Sequence, residues 1–309
     1  MKVETKKMNM KRHAAFLLAL VMLFFIPGAA LAAYSMPVAD DDLSINEDLD
    51  DTWRNILLIG TDTRERKSMA GRSDTMMICS LNEETGEVKI ISLARDTWVE
   101  MGDKGHMNKL NAAHSFGGPN LLMQTINRVY DLNISEYVAV NFYGVADIVD
   151  AMGGVQVQLD KGEASVINNT VNAEYGNTKT EPIPKEASEA TLNGAQALAY
   201  ARIRKLDNDF GRQSRQRKII SGMVEKAKAC SPLELIGLLK TGLQYVSTNL
   251  EMTDILSLTM TMMDKGLDNI SMISIPSKGH YHYENNDGTS KVIVDPEQCA
   301  QEIHAFIYE

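Results

Sequence analysis

The stretch NILLIGTDTRERKSMAGRSDTMMICSLNEETGEVKIISLARDTW, Asn55–Trp98, decides the architecture. NILLIG, Asn55–Gly60, is a buried-strand run stopped by Gly60. TMMICSL and EVKIISL flank NEETGE, a polar turn that contains Gly86, and this pattern predicts an antiparallel hairpin. Charge sits where these apolar runs end. Asp62 and Arg64 lie just past the first run, Arg72 and Asp74 open the second, and Arg95 and Asp96 follow the third. In open α/β sheets, ligands bind in the crevice beyond strand carboxyl ends.

Working outward, GPNLLMQTINRVYDL has helical spacing at Leu121, Leu122, Ile126 and Val129, with Pro119 near its start. SEYVAVNF reads as a strand, and YGVADIVDAMGG as a short helix closed by Gly153 and Gly154. VQVQL alternates like a half-buried strand. Residues 161 to 189 are polar, carry Pro182 and Pro184, and are expected to form an irregular excursion. Helices are expected over 193–202, 211–229, 232–246 and 253–264, strands at NISMISIP and KVIVDP, and a last helix at PEQCAQEIHAFIYE. Interleaved strands and helices with one antiparallel hairpin imply an α/β fold, a layered α-β-α domain around a central mixed sheet.

The chain has 309 residues and a net charge of -10. Lys2, Lys6, Lys7, Lys11 and Arg12 against Glu4 give the first twelve residues +4, so the remainder carries -14. So acidic a body argues against a protein that coats nucleic acid, which needs a basic face. The basic start precedes AAFLLALVMLFFIPGAALAA, Ala14–Ala33. That segment has the features of a signal peptide with a cleavage site at Ala30-Leu31-Ala32, and also just enough length to span a bilayer as an anchor. In both cases the basic start stays inside and the rest lies outside the membrane. The chain thus divides into a cytoplasmic start with signal or anchor at 1–33, an acidic linker at 34–52, and an extracytoplasmic domain at 53–309. Of three cysteines, Cys79 reads as a core residue, and a Cys230–Cys299 disulfide is open; no Cys/His cluster suggests zinc.

The second charged cluster is LNGAQALAYARIRKLDNDFGRQSRQRKII, with Arg202, Arg204, Arg212, Arg215, Arg217, Lys205 and Lys218 against Asp207 and Asp209. On a helix from about Gly211, Arg212, Arg215 and Gln216 share a face. An arginine in a helix's first turn, where the dipole disfavours a cation, points to an anion nearby. Arginine suits phosphate because its planar fork binds two oxygens at once. Asp62 and Asp74, if their strands are neighbours, could reach a common point, and two carboxylates plus phosphate oxygens are a usual way to hold Mg²⁺. Surface salt bridges and turn caps are the alternative for each pattern taken alone. The pair His280/His282 is a weak metal motif, and neither GxSxG nor a Walker loop is present.

Seven ordered motifs, NILLIGTDTR, GRSDTMMICSL, IISLARDTWV, NKLNAAHSFGG, VNFYGVADIVDAMGGV, LNGAQALAYARIR and DNDFGRQSRQRKII, together resemble the LytR-CpsA-Psr family of cell-envelope proteins. The resemblance implies a phosphotransferase that moves a glycopolymer, such as a teichoic acid or capsular polysaccharide, from a polyprenyl-pyrophosphate carrier to peptidoglycan. It implies Mg²⁺, or Mn²⁺ in its place, on Asp62 and Asp74. Arg64, Arg72, Arg95, Arg202, Arg204, Arg212 and Gln216 would bind the pyrophosphate. Arg95, Asp96 and Asp209 would be catalytic, each Asp as proton acceptor or as arginine-orienting group. The implied partners are the lipid-linked polymer, the glycan acceptor and the membrane, with no nucleic acid. His114 departs from the family pattern, which has an aromatic such as Tyr there, and Ala94 replaces the usual Pro before the arginine. The alternative is a non-catalytic envelope protein that binds polyprenyl phosphates or acts as a transcription-attenuator-type regulator.

Overall fold

A computed structural model describes residues 42–309, apart from 64–67, 102–105, 176–179, 208, 229–245, 252, 255–256, 259–269 and 286–287. The basic start, the apolar segment, Arg64 and Cys230 therefore lie outside the described residues, as do most of the helices expected over 232–246 and 253–264.

Strands β1 (Trp53–Thr61), β2 (Ser73–Asn82) and β3 (Val88–Leu93) are the three runs of the opening stretch. Two hairpin strands follow, β4 (Trp98–Met101) and β5 (His106–Lys109), then β6 (Glu136–Asn141) and the pair β7 (Val155–Gln158) and β8 (Glu189–Leu192). The remaining strands are β9 (Val246–Thr248), β10 (Ile270–Ile275), β11 (Tyr281–Glu284) and β12 (Lys291–Val294). The six-stranded central sheet has the order β10-β3-β2-β1-β6-β9. It is mixed: β1 runs parallel to β6 and β3 to β10, while β2 is antiparallel to both β1 and β3.

Alternation along the strands explains why both faces are covered. Ile56, Met77, Cys79, Val88 and Ile90 join one buried layer, and Leu57, Ile59, Met76, Ile78 and Ile91 the other. Successive side chains point to opposite faces, so a continuous apolar run must be sandwiched. Helices α1 (Ala112–Tyr130) and α6 (Pro296–Tyr308) supply Leu122, Ile126, Ile303 and Ile307 to the second layer. Helices α2 (Phe142–Ala151), α3 (Glu163–Tyr175), α4 (Gly194–Ala201) and α5 (Asp209–Lys228) cover the first.

Several boundaries follow from local chemistry. Asn193 and Gln196 form a reciprocal capping box that starts α4. Asp295 accepts from the N–H groups of Glu297 and Gln298, and Pro296 opens α6. Helix α1 begins earlier than its sequence spacing indicates and is broken at Gly117 and Gly118, the latter at φ 65°, before restarting at Pro119. The expected excursion over 161–189 is corrected more deeply. Its first half is α3, which buries Ala164, Ile167 and Val171 at helical spacing, and its end is β8; among the described residues after α3, those from 180 to 188, around Pro182 and Pro184, are neither helix nor strand. Polar composition hid this helix because its burial rests on three apolar positions and on one buried acid, Glu163. Cys79 is buried, which pushes its thiol up to about 12. Cys299 is buried as a free thiol, and Cys230, the other half of the open pairing, lies outside the described residues.

Helices α2 and α4 meet backbone to backbone. A Cβ on Gly194 would lie 2.1 Å from the Ala146 carbonyl oxygen, while the Gly194 N–H donates to Asp150 Oδ1 at 2.7 Å. Gly194→Ala is therefore expected to lower stability by about 2 kcal/mol, the usual scale of core overpacking, seen as a lower urea midpoint with an unchanged slope.

Candidate active site

Strand directions bring distant charged segments to one end of the sheet. The C-terminal end of β1, the start of β2 and the C-terminal end of β3 lie side by side, because Thr61 pairs with Ser73 and Met77 with Ser92. Asp62 follows β1, Asp74 is the second residue of β2, and Arg95 stands two residues past β3. The C-terminal ends of β6 and β10 share that edge through their parallel pairing. The sheet thus opens on the crevice that α/β folds commonly use.

Asp74 is the centre of the arrangement, only 7% exposed. Its Oδ1 accepts from Arg95 Nη1 at 2.5 Å and its Oδ2 from Arg204 Nη2 at 2.9 Å. Arg212 Nη1 reaches the same Oδ2 at 3.5 Å, and Arg212 Nη2 donates to the Asp74 backbone carbonyl at 3.0 Å. Three guanidiniums around one carboxylate leave a formal surplus of two positive charges. Arg212 is 2% exposed, so its charge is largely shielded from water. A buried surplus of this kind is costly unless an anion offsets it. Arg204 has its side chain 54% exposed and stands at the outer side of the cluster.

A second buried node fixes the segment that carries Arg204. Arg215 Nε donates to Glu163 Oε1 at 2.6 Å, and its two Nη groups clamp Asp207 at 3.0 and 2.5 Å. Arg215 Nη1 also donates to the Ile203 carbonyl at 3.2 Å. Burial by itself would lower the Arg215 guanidinium; the bonds to Asp207 and Glu163 outweigh it and hold the pKa above the ordinary value. The connection from α4 to α5 is therefore tied at Ile203 and Asp207, on both sides of Arg204. Bidentate arginine bonding adds geometric definition as well as energy.

Beside the arginines lies an apolar cavity of about 90 Å³ between the sheet and helices α2, α4 and α5. Met77, Val138, Val140, Ile219, Ile220 and Met223 supply its walls, with Gly60, Thr75 and Gln216 among its lining residues. Gly60 is required by close approach, since a Cβ there would lie 2.9 Å from Thr75 Cβ. Gln216 is buried at 6% exposure, and neither end of its amide has a hydrogen-bond partner among the described residues. A buried amide left in this state is expensive and marks a place for a polar ligand group.

The structure thus brings Asp74, Arg95, Arg204 and Arg212 into one cluster, with Gln216 one helical turn beyond Arg212. Asp62 is exposed, and its N–H donates to the Arg72 carbonyl at 3.2 Å, which places it across the strand end from Asp74. Arg72 is exposed at the same edge. Asp96 is half-buried and accepts from Lys109 Nζ at 3.0 Å, with Arg95 Nε at 3.5 Å. Arg202 does not join the cluster; its guanidinium pairs with the exposed Glu174 at 3.2 Å. Arg202 is the C-cap of α4, and the chain turns between it and Arg204. For Asp209 the structure describes only its place as the first residue of α5. The clamp of Glu163 and Asp207 on Arg215, and Lys109 beside Asp96, were missed by sequence reasoning. Burial of an acid at the start of a helix leaves no mark in the sequence, although the Arg212/Arg215 spacing pointed to a shared face.

Among the described residues no three His, Cys, Asp or Glu side chains converge. Asp62 and Asp74 alone could not enclose Mg²⁺. Their donor chemistry fits it all the same, because Mg²⁺ keeps several waters and commonly takes one or two carboxylates together with substrate phosphate oxygens.

The LytR_cpsA_psr family model matches residues 29–304. A teichoic acid transferase named TagU from Bacillus cereus (strain AH820), described as polyisoprenyl-teichoic acid–peptidoglycan teichoic acid transferase, is 36% identical over 229 residues, covering 73% of this chain and 70% of that protein. The crystal structure of B. subtilis TagV is 27% identical, with a TM-score of 0.64 over 84% of this chain and 98% of the other. YwtF (TagT) with bound octaprenyl pyrophosphate lipid has the same fold at 20% identity, with a TM-score of 0.62 over 85% and 95% of the two chains.

His114, which stands in the motif NKLNAAHSFGG, is buried against the site's flank with its Nδ1 2.9 Å from the Gly71 carbonyl oxygen. Burial lowers its pKa from the usual 6.5, and the bond to Gly71 only partly opposes this. Below pH 6.5 the unfolded chain takes up a proton that the folded chain refuses, so stability rises with pH across that window and is lost as pH falls through it. Replacing His114 with Phe is expected to flatten the decline in urea midpoint between about pH 7 and pH 5, by at most about 1.4 kcal/mol per pH unit.

Proposed function

The chain belongs to the LytR-CpsA-Psr family, and from that premise we propose that it transfers a glycopolymer from a polyprenyl-pyrophosphate carrier to peptidoglycan. The observation that carries this is the Asp74 cluster of Arg95, Arg204 and Arg212 beside an apolar cavity. A pyrophosphate diester brings two negative charges to a site with two positive charges in excess, and its lipid tail has an apolar wall to enter. The relative seen with octaprenyl pyrophosphate supports that use of the fold.

In this reading a sugar hydroxyl of the glycan attacks the phosphorus that bears the polymer. The bond from that phosphorus to the bridging oxygen breaks, and the lipid leaves as polyprenyl phosphate. The hydroxyl proton passes to a carboxylate, Asp96 or Asp209. Arg95, Arg204 and Arg212 bind the non-bridging oxygens and stabilise the charge that builds on the leaving phosphate. Phosphoryl transfer needs little more from a protein than position and electrostatics. When Mg²⁺ is bound, Asp62 and Asp74 hold it, and it supplies further neutralisation of pyrophosphate charge. Arg215 keeps the segment with Arg204 in place and does not itself face the cavity. The basic start and apolar segment at 1–33 support an extracytoplasmic domain held at or released from the membrane.

The direct test incubates the protein with a defined polyprenyl-pyrophosphate sugar and Mg²⁺, with and without a glycan acceptor, and follows the sugar phosphate by mass spectrometry. Arg212→Ala is expected to reduce transfer by about 10²–10³, the cost of one preorganised charge-stabilising donor. Asp62→Ala should abolish cleavage yet leave lipid binding in place; unchanged turnover would make Asp62 only a turn cap, and a parent protein that binds the lipid without cleaving it would favour a carrier-binding protein without catalysis. Ile220→Trp, which fills the cavity wall, is expected to weaken binding of the polyprenyl chain at least tenfold, while a thermal melt within a few degrees of the parent shows the fold retained.

A further inference from the structure

Three aromatic rings form a corner next to the arginine cluster, and the reaction described above gives them no task. Phe210 lies in the first turn of α5, two residues before Arg212. Its ring stacks on Tyr281 of β11, with centroids 4.7 Å apart and planes at 30°. Tyr283, two residues along the same strand and so on the same face, meets Tyr281 edge to face at 5.6 Å and 86°. Tyr283 is 44% exposed. Aromatic residues make up 6% of the chain, so three in one half-exposed corner are a concentration.

The corner is fixed to the site from both sides. On one side Phe210 shares the first turn of α5 with Arg212. On the other, the Val292 N–H of β12 donates to the Asp96 carbonyl at 3.0 Å, and Tyr283 pairs across the hairpin with Val292. Lys291 rests over the Trp98 ring at 4.1 Å, which holds the hairpin against β4. The rings therefore stand beside the two segments that carry Asp96 and Arg212.

We propose that Phe210, Tyr281 and Tyr283 form a saccharide-binding ledge that takes a pyranose ring. This inference rests on the transferase reading and adds a sugar subsite to it. The face of an aromatic ring is electron-rich, and the C–H face of a pyranose carries partial positive charge, so the two stack while the sugar hydroxyls stay in water. Two rings at right angles offer a corner for one sugar, where a flat patch would suit a protein surface. The sugar has two sources, the acceptor glycan or the first sugar of the carrier.

The test uses the full chain in detergent and a phosphate-free probe, the N-acetylglucosamine tetramer, measured by saturation-transfer NMR and tyrosine fluorescence. The parent is expected to bind the tetramer, Tyr283→Ala to weaken it about tenfold, and Tyr283→Trp to restore it. Sugar-free polyprenyl pyrophosphate should bind the parent and Tyr283→Ala alike and be lost in Arg212→Ala, so failure of the pyrophosphate site is read separately from failure of the ledge. If Tyr283→Ala weakens a sugar-bearing carrier but not the sugar-free one, the ledge holds the donor sugar. If it slows transfer to glycan while leaving carrier affinity unchanged, the ledge holds the acceptor. No tetramer binding by the parent, equal binding by Tyr283→Ala, or an effect of that variant on vesicle partitioning alone would each overturn the proposal.

Discussion

One carboxylate organises the site. Asp74 holds guanidiniums from three separate segments: the loop after β3, the turn after α4 and the first turn of α5. Arginines of like charge would repel one another at these distances, and in a partly dry crevice the repulsion is strong. Asp74 reduces it enough for the three to converge without cancelling it, and the surplus that remains is the site's affinity for anions. The sheet exists in the form it does to present that residue: β2 sits between β1 and β3, so the start of β2 is flanked by two strand ends.

A second tier makes the cluster rigid. Arg215 belongs to the same helix as Arg212 but turns its charge inward, to Glu163 and Asp207. Removing one member of a buried pair leaves the other charged and unsolvated, which generally costs several kcal/mol. The node therefore favours a single arrangement of the α4–α5 connection. Arginines three residues apart on one helix thus have different duties, one facing an anion and the other bracing the backbone.

How far the sequence could be read follows from the kind of signal each element leaves. The three strands of the opening stretch are legible because a run of apolar residues bounded by turn residues has few other solutions. The last helix is legible from Asp295, Pro296 and the spacing of Cys299, Ile303 and Ile307. Helix α3 was not, because its apolar stripe is short and its decisive contact is an acid whose partner lies 52 residues away. At the site, Asp74, Arg95, Arg204 and Arg212 were legible as charges placed at element ends. Arg202 looked equivalent to Arg204 in sequence, yet Arg202 is itself the C-cap of α4 and pairs with Glu174, while Arg204, past the helix end, reaches Asp74. The ledge of Phe210, Tyr281 and Tyr283 gave no signal, since nothing along the chain shows that a hairpin near the end returns to the start of α5.

The wide separation of the site's members along the chain has a consequence for how the protein is made. Asp74 and Arg212 are 138 residues apart. Contacts of such long range are slow to form, since a large loop must close before they return any energy. During synthesis the carboxylate emerges long before two of its three counter-charges. A nascent chain that has not yet reached Arg204 and Arg212 therefore offers Asp74 only one of its three guanidiniums, that of Arg95.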